Sequence, residues 1–180
     1  LSVAIQTDGT IVRWGYYGST ITNPATGTYQ AVSASTGQRA CAITTAGAIQ
    51  CWGSARSDES APPTTGNYQS ISTGYLHACA LTTTGEATCW GYSSDGQLSL
   101  GIGSGNVKAI AAGYYHTCAI RADDGALVCT GRNTYGQATP PTGSFTQVAA
   151  GNTLTCAIRT DGTLACWGLE TVGETRPPAG

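Results

Sequence analysis

The sequence has no methionine, one phenylalanine and one lysine, Lys108. Charged residues make up 10% of it, and the formal net charge is -2. A nucleic-acid surface needs clustered Lys and Arg to neutralise phosphates, so this scarcity argues against a nucleic-acid partner. No apolar run approaches the roughly 20 residues of a membrane-spanning helix, and no membrane span is expected. Helical apolar periodicity with caps is absent as well. Leu1 opens directly into strand-like sequence without a signal peptide, which reads as a mature product or part of something longer.

What the chain does have is glycine (25 residues), many small and β-branched residues, and short apolar runs between turns. This is an all-β composition. The runs recur. Residues 144–180 read SFTQVAAGNTLTCAIRTDGTLACWGLETVGETRPPAG, and 106–143, 67–105 and 28–66 repeat the same grammar. Residues 1–27 match only the later part of it, so the first unit lacks its opening strand. Each unit of 37–39 residues holds a strand ending in a small-residue turn, a second strand, a tight turn closed by glycine, a third strand and a Pro-rich outer segment. Gly9, Gly47, Gly85, Gly125 and Gly162 hold the turn position, where a positive φ is required. Such units cannot bury a core alone, whereas stacked radially they cover one another. The expected fold is a β-propeller of about five four-stranded blades, the first incomplete, with blades 1–27, 28–66, 67–105, 106–143 and 144–180 in one domain or in part of a longer one.

The eight cysteines fall into pairs that flank the hairpin turns: Cys41/Cys51, Cys79/Cys89, Cys118/Cys129 and Cys156/Cys166. Three pairs centre on the residue before the turn glycine. The turn 122–125 has one extra residue, and its cysteine spacing grows by one to match. That compensation keeps the sulfurs opposite each other on adjacent strands, as disulfides require. Zinc sites use closer Cys-x2-4-Cys spacing with four converging ligands, so no metal and no cofactor are expected. Disulfides imply an oxidising compartment, extracellular or periplasmic.

The stretches AAGYYHTCAI, TDGTLACWG and NTYGQ resemble the regulator-of-chromosome-condensation repeat family, and the resemblance covers essentially the whole chain. The unit length is similar to that of the family's secreted bacterial branch, which includes a propeller-type β-lactamase inhibitor. The resemblance implies a propeller, usually closed by seven blades. It also implies functions ranging from nucleotide exchange on a nuclear GTPase to protein inhibition, so fold does not fix function. In that inhibitor, aromatics just after the turn of strand one contact the partner. The matching positions here are Tyr75/Leu76, Tyr114/Tyr115, Gln38/Arg39 and Asn152/Thr153/Leu154.

In a propeller blade the loops after strands one and three emerge on one face. Tyr16, Tyr17, Tyr75, Tyr92, Tyr114, Tyr115 and Tyr135 all fall in those loops, while Tyr29 and Tyr68 open strand one. Tyrosine offers rigid contact area with a polar tip, which suits a protein ligand, with carbohydrate as the alternative. Arg39, Arg132 and Asp95 would add charge to this face. His77 and His116 hold one repeated position and read as ties between blades. Trp14, Trp52, Trp90 and Trp167 share one slot, taken by Thr130 in the fourth unit, and read as inter-blade packing. Asp123 and Asp124 read as turn chemistry. No phosphate loop, metal-protease motif or Ser-His-Asp set can be assembled, so no catalytic residues are assigned and no enzyme is expected. The unpaired edge of the first unit makes self-association a further expectation.

Overall fold

The computed structural model describes residues 1–15, 26–37, 39–53, 61–103, 105–170 and 175. These residues form fourteen strands and no helix. The first sheet pairs β1 (Ser2–Ile5) with β2 (Ile11–Trp14). The second runs β3 (Tyr29–Ala34), β4 (Arg39–Thr44), β5 (Ile49–Gly53). The third runs β6 (Tyr68–Thr73), β7 (His77–Thr82), β8 (Ala87–Gly91). The fourth runs β9 (Val107–Ala112), β10 (His116–Arg121), β11 (Leu127–Gly131). The fifth runs β12 (Phe145–Ala150), β13 (Leu154–Arg159), β14 (Leu164–Gly168). Every sheet is an antiparallel meander in chain order.

The middle strands explain the stacking. Alternate side chains of β7 point to opposite faces, and every residue of that strand is buried. Its Ala78 and Ala80 meet Cys41 and Ile43 of the second sheet, in a cluster completed by Tyr68 and Trp90. Fourth and fifth sheets repeat the arrangement: Cys118, Ile120 and Leu127 pack on Phe145 and Ala157, with Trp167 at the margin. One face of each sheet is therefore built from small alanines, so that the bulkier residues of the preceding sheet can approach. Backbone bonds reinforce each seam. The carbonyls of the turn glycines Gly9, Gly47, Gly85 and Gly125 accept from Tyr29, Tyr68, Val107 and Phe145 of the following sheet at 2.8–3.0 Å. These glycines hold φ between +72° and +84°, as the hairpin sequence demands.

All four expected disulfides are present, each between residues directly opposite in register, with Cα–Cα distances of 4.0–4.1 Å. Removing one bridge as Cys118→Ala/Cys129→Ala should cost about 2 kcal/mol, since its loop is short and already closed by a turn. The thermal midpoint is expected to fall by roughly 4–8 °C. A shift below about 1 °C would show that the hairpin contributes the whole constraint unaided.

The fourth strand of each blade is not found: every complete sheet has three strands among the described residues. The outer segments lack what a strand needs. Residues 138–143 read ATPPTG, where two prolines carry no N–H, and residues 98–103 contain Gly101 and Gly103. The terminal sheets are also uncovered on their outward sides. Leu164 is 43% exposed, against 8% for its repeat equivalent Leu127, and Trp14 is 54% exposed. Trp14 thus departs from the packing role assigned to its slot, because no further sheet lies against it.

Candidate functional site

The loops after strands one and three do meet at one end of the sheets. Tyr92 N–H donates to the Leu76 carbonyl at 2.9 Å, and Arg132 N–H to the Tyr115 carbonyl at 2.8 Å. At the inner margin, the ends of β3, β6, β9 and β12 surround an axial cavity of about 210 Å³. Ala34, Thr73, Ala112 and Ala150 line it, the small residues that close strand one. Larger side chains here would fill the axis.

Two tyrosines stand beside that cavity with their backbones fixed. Tyr75 N–H donates to the Gly113 carbonyl, and Tyr114 N–H to the Gly151 carbonyl, each reaching the next sheet. Their rings stack at 3.9 Å between centroids, 11° from parallel. Tyr115 stands edge-on to both, at 5.8 and 4.6 Å. The Arg132 guanidinium lies 4.0 Å over the Tyr115 ring and pairs with Asp95 through two contacts of 3.2 Å. The Asp95 hydrogen bonds and charge raise the Arg132 pKa further. Stacked, edge-on and cation–π contacts each favour one fixed arrangement, so the cluster is a rigid platform spanning the third and fourth sheets. Tyr135 adds an exposed ring, 48% accessible, next to it on the fourth sheet's outer loop.

The remaining expected residues divide. Leu76 and Arg39 are buried, at 7% and 8% exposure, and leave the set of partner-facing residues. Leu76 is packed inward because the turn after β6 directs only Tyr75 out. Leu154 and Tyr92 are half-buried. Tyr16, Tyr17 and Gln38 lie outside the described residues.

His77 and His116 are fully enclosed inter-sheet ties. Their Nε2 atoms lie 2.8 Å from the hydroxyls of Thr117 and Thr155 on the following sheets. Burial pushes both pKa values down to about 4, with the charge of His116 adding to the effect at His77. Trp167 Nε1–H donates to the Gln137 carbonyl, and where Thr130 replaces tryptophan its hydroxyl donates to the Gly96 carbonyl. Asp124 and Asp161 accept from backbone N–H groups two residues on, the expected turn bonds.

Two residues escaped the sequence reading. Gln97 and Gln137 are buried, and their Oε1 atoms accept from the N–H groups of Asp95 and Tyr135. They pin the two outer loops that carry the charged and aromatic rim. The signal was present in the Gly-Gln dipeptide seven residues past the tryptophan slot.

Among the described residues no three His, Cys, Asp or Glu side chains converge as metal ligands, and no helix is long and apolar enough to cross a membrane.

A model of the regulator of chromosome condensation (RCC1) repeat matches residues 68–97, 107–137 and 145–174, together half of the chain. The chain belongs to the RCC1 repeat family. Among solved structures it is similar to the entire ectodomain of the receptor kinase CR4 from Physcomitrella patens, at 27% identity and TM-score 0.77, over 93% of this chain and 49% of that one. The ectodomain of the Arabidopsis thaliana receptor kinase ACR4 is similar at 26% identity and TM-score 0.66, over 91% and 58%. Prp20p of Saccharomyces cerevisiae, studied for its binding to Gsp1p and histones, shares the fold at 21% identity and TM-score 0.65, over 78% and 44%. The chain thus spans about half the length of these RCC1-like propellers. No curated protein sequence matches it.

Proposed function

We propose that this RCC1-repeat array is a secreted, non-catalytic module that binds a protein partner through the face carrying Tyr75, Tyr114, Tyr115 and Arg132. The observation that carries the reading is the pre-assembled tyrosine–arginine platform around the axial cavity. Interface centres are enriched in tyrosine and arginine, and a platform already rigid loses little entropy on binding. Tyr135 extends the face on the rim, and Tyr92 and Leu154 offer half-buried edges. The loops diverge from repeat to repeat, which favours one composite site over equivalent sugar sites. Four disulfides and the likeness to two receptor ectodomains support an extracellular location, as does the resemblance of the motifs to the family's secreted bacterial branch. The repeat units 28–66, 67–105, 106–143 and 144–180, with the partial unit 1–27, act on this reading as one array.

The test is capture of extracellular proteins on immobilised chain, set beside a glycan array. A protein held by the native chain should bind at least about 30-fold more weakly to Tyr114→Ala, the scale of a central interface residue. Asp124→Ala, on the hairpin at the opposite end of the sheet, should leave it unchanged. Binding confined to glycans, or equal loss in both variants, defeats the proposal.

A further inference from the structure

The three-stranded sheets have an edge that the platform does not use. In the third sheet β8 is the outermost strand. Cys79 and Cys89 face each other at a Cα–Cα distance of 4.0 Å. Opposed residues of an antiparallel pair lie near 4.5 Å when they exchange no hydrogen bonds and near 5.5 Å when they do. The disulfide therefore occupies a non-hydrogen-bonded pair, and the N–H and C=O of Cys89 point away from β7, toward the open edge. The same alternation turns out the backbone of Ala87. Neither residue has a backbone hydrogen bond on that side among the described residues.

Along this edge lies a cavity of about 350 Å³. The β8 strand forms one wall. Leu98, Leu100 and Ile102 form part of the other, with Val107 at the base. A row of unpaired ladder groups facing an apolar wall across an open slot is the arrangement that accepts an added strand: backbone bonds give affinity, and alternate side chains give selectivity.

We propose that the outer edge of β8 is a strand-addition site for an extended peptide segment of a partner protein, with apolar side chains at alternate positions against Leu98, Leu100 and Ile102. The occupant is specified by its chemistry: an extended backbone to pair with Cys89 and Ala87, and uncharged side chains to fill the wall. The site is remote from the tyrosine face and independent of its role.

The experiment is amide hydrogen exchange by NMR on the intact, oxidised chain, with the acetylated and amidated hexapeptide TVTVTV as probe. The peptide should slow exchange of the Cys89 amide at least tenfold while leaving Cys51, Cys129 and Cys166 unchanged. The same peptide N-methylated at every internal amide should have no effect. The double variant Leu100→Asn/Ile102→Asn should lose the protection, and the peptide pair decides the matter even if that variant folds poorly. Equal protection by the methylated peptide, equal protection at all four outer-strand cysteines, or no protection at Cys89 overturns the proposal. Protection of Cys89 that appears without peptide and vanishes on dilution overturns it too, since the occupant is then a second copy of the chain.

Discussion

Lowering the pH from 7 to about 4 is expected to remove several kcal/mol of stability through two side chains. His77 and His116 titrate at about 4 when folded and near the ordinary 6.5 when unfolded. Between those values the unfolded chain binds more protons than the folded one, so stability falls as pH falls through that window. Each shift corresponds to roughly 3 kcal/mol once the window has been crossed, and the two add incompletely because the imidazoles repel each other when charged. The carboxylates of Asp8 and Asp161 are held below their usual range by hydrogen bonds to Thr10 and Thr163, so their contribution is lost at lower pH. Urea unfolding of the oxidised chain at pH 7.5 and 4.5 measures the effect. His116→Gln keeps a group able to bond Thr155 but does not titrate, and should flatten about half of the dependence. Equal midpoints at both pH values in the native chain would mean that the seams admit water to the imidazoles.

Gly74→Ala should cost about 3 kcal/mol, an overpacking effect at a site that cannot relax. A Cβ on Gly74 would fall on the Gly113 carbonyl oxygen and 2.6 Å from Cε1 of His77. Both neighbours belong to the seam between the third and fourth sheets, so the methyl group must part the sheets. The Tyr75–Gly113 backbone bond and the His77–Thr117 contact would lengthen together. Gly96→Ala is the control. It also sits at positive φ, +77°, but in open space, and should cost only about 1 kcal/mol of backbone strain. Denaturant midpoints compare the two, and a Gly74→Ala cost no greater than that of Gly96→Ala would show that the seam yields freely. Because Tyr75 and Tyr114 stack across this seam, Gly74→Ala should weaken the proposed protein binding as well.

Much of this architecture was legible because repeats report on themselves. The cysteine spacing that lengthened with the turn at 122–125 could only mean opposed strands, and the register bears this out. The histidines read correctly as ties because two copies of one slot rarely serve two purposes. The fourth strand was read wrongly. Length alone suggested it, while Pro140, Pro141 and the glycines between 98 and 103 denied it the N–H groups and stiffness a ladder needs. Leu76 and Arg39 were misplaced because burial at a turn depends on which of two adjacent side chains faces out, and sequence period does not settle that between strands. The partner threonines were also readable in hindsight. His77 is followed one repeat later by Thr117, and His116 by Thr155, while Arg39 is followed by Ala78. Histidine and threonine occur as donor and receiver on consecutive units.

That pairing makes the array uneven along its length. The two His–Thr latches join the third sheet to the fourth and the fourth to the fifth, the same sheets that carry Tyr75, Tyr114, Tyr115 and Arg132. The first sheet has only two strands, no disulfide and no latch. The molecule is graded, with a looser amino-terminal end feeding into a locked segment. Fluctuations that open the array should start at the loose end and stop where the latches begin. The platform would then keep its shape while its own scaffold breathes.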